Sequence, residues 1–244
     1  EGERFGFAHD RIRVVVYDRL LLPQRKLRHR QVGEAIHEMF ASNLEPHYLA
    51  LGTHFRLGEV WDKAVDFLRR AGLAAMTRSA SREAVACFGQ ALEALGHLPE
   101  HPDSTRLAID LRCDLQSGYV LLGDLPRMLE SLRGAEALAA ALGDERRLAR
   151  IYSHIAVHFW WVGQFEAAVD YSRRALTIAT RLDDRFLTVL ASARLCLAYL
   201  DQGDYRRAIE VGRLCIAALS GDLVRELFEM ASLPAVCVRV YIAS

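Results

Sequence analysis

Residues 163–182 read GQFEAAVDYSRRALTIATRL, and residues 203–219, forty positions on, read GDYRRAIEVGRLCIAAL. The two stretches share one frame. A glycine is followed by a polar residue and then an apolar one: Gly163-Gln164-Phe165 and Gly203-Asp204-Tyr205. A triplet at offsets 0, +4 and +7 comes next: Ala168/Ser172/Ala175 and Ala208/Gly212/Cys215. One period upstream the same frame reads Gly123-Asp124-Leu125 and Met128/Leu132/Ala135. Tyr119, Phe159 and Tyr199 keep the spacing, and so do Leu115, Ile155 and Leu195. Three copies in phase make a structural repeat the first fact about this chain.

Each period has a physical reading. Its first half, such as residues 148–162, carries apolar residues at helical spacing. The glycine ends that helix and allows a tight turn. The second half, such as residues 165–182, is again amphipathic. Its triplet lies on one face, and the mostly small residues at 0 and +7 let a neighbouring helix come close. One period is therefore a helix–turn–helix hairpin whose apolar face needs neighbours stacked on it. Upstream, Ala64/Leu68/Ala71 and Ala84/Phe88/Ala91 repeat the triplet only 20 residues apart. That spacing predicts one long helix over residues 61–77, closing one hairpin with Phe55 and the turn at Gly58 and opening the next. The expected fold is all-α, a right-handed superhelix of such hairpins, spanning residues 44–244.

The quoted second helices resemble the second helix of a tetratricopeptide repeat (TPR), whose usual period is about 34 residues. Longer helices account for 40. The pattern is similar to the elongated TPR-like arms of large bacterial signalling ATPases. Residues 1–43 stand apart. Phe5 and Phe7 alternate with smaller or polar neighbours like a short strand. Residues 9–21 read as a helix with Ile12, Val15, Val16 and Leu20 on one face. Pro23 suits the first turn of another helix, over residues 23–41, with Leu27, Val32, Ala35, Ile36 and Phe40 turned inward. Phe7, His9, Asp10, Arg13, Tyr17 and Leu20 resemble a pattern that ends the winged-helix subdomain preceding such arms in STAND or AAA-type ATPases. Arg25, Leu27, His29, Arg30, Gly33, Glu34 and Ala35 resemble its basic continuation. The resemblance implies a regulatory parent protein, with a cyclase, kinase or transcriptional output outside this sequence.

Composition narrows the chemistry. The chain has 244 residues with 31 basic and 31 acidic side chains, so bulk attraction to nucleic acid or anionic membrane is not expected. Only Lys26 and Lys63 are lysines, which nearly removes Schiff-base and phosphate-cradling lysines by inventory. Phosphate-binding, dinucleotide and nucleophile-elbow glycine motifs are all absent from the sequence. No catalytic residue, cofactor or metal site is assigned: His154 and His158 share a helix face without a third ligand nearby. Five separated cysteines read as buried thiols of a reducing cytoplasm. No apolar run reaches the roughly 18 residues of a membrane span. The chain opens on Glu1, as an excised fragment does. A fourth period would put its second helix beyond Ser244, so residues 223–244 read as a first helix lacking its partner, with an apolar face left exposed or covered by an interface.

The candidate binding residues lie on the first helices. Tyr152, Ile155 and Phe159 mark the packed side, so Arg150, Ser153, Val157, Trp160 and Trp161 should lean toward the inner groove. One period on, Leu197, Leu200 and Asp201 join them. Two adjacent tryptophans in an apolar concavity are natural anchors for a ligand. The expected function is a non-enzymatic arm that binds a protein segment, or other domains of its own chain. The alternatives are a small-molecule effector site at the same tryptophans and a homodimerisation scaffold.

Overall fold

The computed structural model describes residues 15, 17–219, 221–225 and 234–243. All regular structure among them is helical. The chain divides into two compact units, between Pro99 and Glu100. The strand expected at Phe5 and Phe7, and the motif residues His9, Asp10 and Arg13, lie outside the described residues; residues 17–19, with Tyr17 of that motif, are helical.

The first unit holds α1 (Leu22–Met39), a 3-10 turn at Glu45–His47, α2 (Tyr48–Leu57), α3 (Trp61–Thr77) and α4 (Ser81–Leu95). Helix α3 packs on both α2 and α4, so it closes one hairpin and opens the next, as the 20-residue spacing of the triplets requires. Ala64, Leu68, Ala84, Phe88 and Ala91 are completely enclosed. Gly58 lies in the turn between α2 and α3 as expected, and it is Glu59 beside it that takes the left-handed conformation, at φ 56°. Gly58 is small for another reason. A Cβ there would stand 2.8 Å from Cγ of Arg30, whose side chain crosses the turn.

Helix α1 turns a different face inward from the one expected. Leu27, Val32 and Ala35 are exposed, while Ile36 and Phe40 are half-buried and Gly33 is buried. The ring of Phe55 fills the space where a Gly33 side chain would be. That close approach fixes the rotation of the helix. It also brings Lys26 to Glu59 and Lys63 to Glu34, each pair at 2.6 Å.

The second unit holds α5 (Pro102–Leu122), α6 (Leu125–Leu142), α7 (Glu145–Trp161), α8 (Phe165–Arg181), α9 (Arg185–Asp201), α10 (Tyr205–Ala218), a 3-10 turn at Gly221–Arg225 and α11 (Pro234–Ala243). These form hairpins α5–α6, α7–α8 and α9–α10. Every triplet residue of the three second helices is buried, and Met128, Leu132, Ala135, Ala168, Ala175, Ala208 and Cys215 are all fully so. The turn glycines Gly123, Gly163 and Gly203 have φ of 70°, 74° and 79°, a region an L-residue avoids. After each, an amide bonds back five residues to the repeating aromatic carbonyl: Asp124 to Tyr119, Gln164 to Phe159, Asp204 to Tyr199. This six-to-one closure satisfies the last helical carbonyls.

Of the segment expected as one first helix, residues 223–225 belong to a 3-10 turn and residues 234–243 are α-helical, and residues 226–233 lie outside the described residues. On α11 Val238 is buried while Val236 and Val240 are exposed.

Candidate functional site

The first helices α5, α7 and α9 form the inner side of the second unit, and α7 touches α9 and α5 directly. Columns of equivalent residues, 40 apart, cross them. The column Cys113, Ser153, Ala193 is buried throughout. Small side chains there let the helices meet, so Ser153, expected to line a groove, is instead enclosed in the helix contact. The column Ser117, Val157, Leu197 is half-buried, as is Val120, Trp160, Leu200. The column Leu121, Trp161, Asp201 is exposed. The inner side is thus closed along its length and opens toward the glycine turns.

Polar pairs do much of the closing. Arg147 clasps Asp110 through Nε at 3.0 Å and Nη2 at 2.8 Å, and reaches Asp144 at 2.8 Å. Hydrogen bonding to Asp110, stronger than the burial that opposes it, raises the Arg147 pKa, so the guanidinium stays charged. Arg150 approaches Asp110 at 3.6 Å and Asp114 at 3.5 Å. Arg150, expected beside the groove, thus has its charge engaged on α5. Deeper in, Nη1 of Arg194 lies 3.3 Å from Nδ1 of His154, both side chains buried. His158 is buried too, and desolvation lowers its pKa, with a backbone bond to Leu125 acting the other way. Asp114, Arg147 and Arg194 were not singled out from the sequence, and His154 was weighed only as one of a histidine pair. Acid and base do recur at equivalent or adjacent positions one period apart, but that spacing does not say which of them pair.

At the open end Trp160 donates its Nε1–H to the Asp201 carboxylate on the next first helix. Trp161 meets Trp160 edge to face, with centroids 5.2 Å apart, and remains 54% exposed. Leu121, Leu122 and Val162 are exposed at equivalent or adjoining positions. An open depression of about 490 Å³ lies beside them, lined by Gly163, Gln164, Phe165, Glu166, Ala167 and Gln202. Of the candidate residues, the structure therefore brings Trp160, Trp161, Leu200 and Asp201 together at one edge, with Val157 and Leu197 one turn back. It sets Arg150 and Ser153 apart from them.

A family model described as tetratricopeptide repeat matches residues 147–220, the two most regular hairpins. No curated protein sequence matches the chain. Among solved structures, BtubC (BKLC) from P. vanneervenii is similar over 92% of this chain and 86% of its own, with TM-score 0.55 and 19% identity. The apo form of RapI is similar over 96% and 68%, with TM-score 0.61 and 12% identity. A Podosopora anserina protein with nearly identical TPR-like repeats covers 82% and 96%, at TM-score 0.53 and 15% identity. At these identities the likeness is one of fold. The chain is a TPR-like helical repeat protein, and repeats of this type generally serve as non-catalytic scaffolds for protein–protein interaction. Among the described residues no helix is long and apolar enough to cross a membrane.

Proposed function

We propose that this chain is a non-enzymatic interaction arm that receives a peptide segment at the turn edge of its second unit. The segment belongs to a separate partner or to another domain of the same protein. One observation carries the reading. Where the rest of the inner side is closed by packing and ion pairs, Trp161 stands exposed against Trp160, and Leu121, Leu122 and Val162 are exposed at equivalent or adjoining repeat positions. A large aromatic in an apolar surround is the residue type that anchors protein contacts. The depression beside it is open rather than enclosed, which favours an extended or helical segment over a small effector that needs burial on most sides. The resemblance of the N-terminal residues to a winged-helix ending supports a bacterial signalling or transcriptional regulator as the parent. Occupancy would then act by shifting a conformational equilibrium of that parent.

Selection from a displayed peptide library tests this. Enriched peptides should lose affinity by about tenfold or more on Trp161→Ala, with the unfolding midpoint unchanged. Peptides that bind both forms equally would remove the site. Native mass spectrometry separates the alternatives: a discrete bound small molecule would favour an effector site, and a stable dimer would favour the exposed valines of α11.

A further inference from the structure

Part of the basic run on α1 is tied to the protein: Arg25, Lys26 and His29 are half-buried, while Arg28 and Arg30 are exposed. Arg25 donates to the carbonyls of Leu20 and Asp18, and Arg30 to that of Gly58. Lys26 pairs with Glu59. Between these contacts lies His29. Its Nδ1 is 2.9 Å from Nδ1 of His54 on α2, and its Nε2 is 2.9 Å from the Tyr17 hydroxyl. The guanidinium of Arg25 lies 4.7 Å over the Tyr17 ring. The three side chains form one hydrogen-bonded line joining the start of α1 to the first hairpin.

A neutral imidazole offers one N–H and one acceptor nitrogen. At 2.9 Å between two Nδ1 atoms, one ring must donate and the other accept. The line accepts a first added proton, because an imidazolium still donates to a neutral partner. It does not accept a second. Two imidazolium rings would point N–H at N–H across the contact, and both would carry charge. We propose that His29 and His54 form a pH-sensitive latch between α1 and α2, closed while the pair holds at most one extra proton and opened by the second.

The surroundings reinforce the limit. Burial lowers the pKa of His29. Burial and then the charge of His29 lower that of His54. Of the charged groups on the elements packed here, Lys26 pairs with Glu59, Lys63 with Glu34 and Arg25 with Asp18, and Arg25 and Arg30 also bond backbone carbonyls; Arg56, on α2 with His54, keeps a buried Nε without a hydrogen bond. Burial and the neighbouring ring's charge are what oppose the second proton. The sign follows. The folded contact binds protons less readily than the unfolded chain, so its stabilisation is complete above the ordinary histidine value of about 6.5 and declines as pH falls below it. The contacts of Gly33 with Phe55 and of Glu34 with Lys63 lie farther along α1, so opening is local to its first half.

Imidazole ¹H–¹⁵N spectra of the 244-residue chain, recorded from pH 8 to 5, test the latch. The pair should titrate in two coupled steps, the second below the ordinary value. His54→Gln should raise the His29 midpoint, and His29→Gln should raise that of His54, so either variant suffices if the other fails to fold. Amide protection in residues 22–30, corrected for intrinsic exchange, should drop by about threefold or more between pH 7 and 5.5 relative to α4. Independent titrations that the partner's substitution leaves in place, or protection that does not change, would overturn the proposal. A merely structural pair would lose stability on substitution without moving the other ring's midpoint.

Discussion

Gly72 on α3 faces Phe88 on α4 so closely that a Cβ would come within 2.5 Å of the ring. Phe88 is fully enclosed, so the ring has little freedom to retreat. Gly72→Ala should therefore destabilise the chain by about 1–3 kcal/mol through overpacking, against the helix propensity it gains. Urea unfolding checks this. At Gly163 the objection is conformational, since its φ is 74° and nothing stands near a Cβ. Gly163→Ala should cost about 1 kcal/mol. The sequence showed the second kind of glycine plainly, because Gly123, Gly163 and Gly203 recur in phase. It hid the first kind. Gly33, Gly58 and Gly72 are small because a particular side chain of another helix occupies the space, and spacing along one helix carries no record of that.

The element scale has its own exception. Asp124, Asp144, Asp184 and Asp204 each precede a helix and accept a backbone amide three residues on. Gln164 holds the same place before α8 and makes no such bond. Gln164→Asp should therefore stabilise the chain by about 0.5–1 kcal/mol, read as a higher denaturant midpoint. Asp184 bears on acid stability. Burial alone would raise its pKa, but the Arg146 guanidinium and the amide of Leu187 outweigh it and hold the carboxyl below its ordinary value. The stabilisation is thus present above about pH 4 and is lost as pH falls through the depressed folded value. The advantage of the native chain over Asp184→Ala should shrink as unfolding is measured from pH 6 down to pH 3. Helix order and the shared helix α3 were readable from the triplets alone, since those positions are the buried contacts. The inward face of α1 was not. Its apolar residues Leu27 and Val32 form a pattern that the closer fit at Gly33 overrides.

On the scale of the second unit, direct contact among α5, α7 and α9 decides what is open. Periodicity marked the inner columns, and Trp160, Trp161, Leu200 and Asp201 do come together. It could not tell that Ser153 would be enclosed or that Asp110 and Asp114 would engage Arg147 and Arg150, because those outcomes depend on how closely successive hairpins stack. Arg147→Met should destabilise by about 1.5–3 kcal/mol, the range for hydrogen bonds to charged groups, by removing the guanidinium that Asp110 and Asp144 share. The central claim is that binding takes place at the turn edge where this closure ends. Hydrogen–deuterium exchange with a selected peptide tests it most directly. Protection should concentrate in residues 157–162 and 197–202. Protection confined to the outer helices α6, α8 and α10 would contradict it.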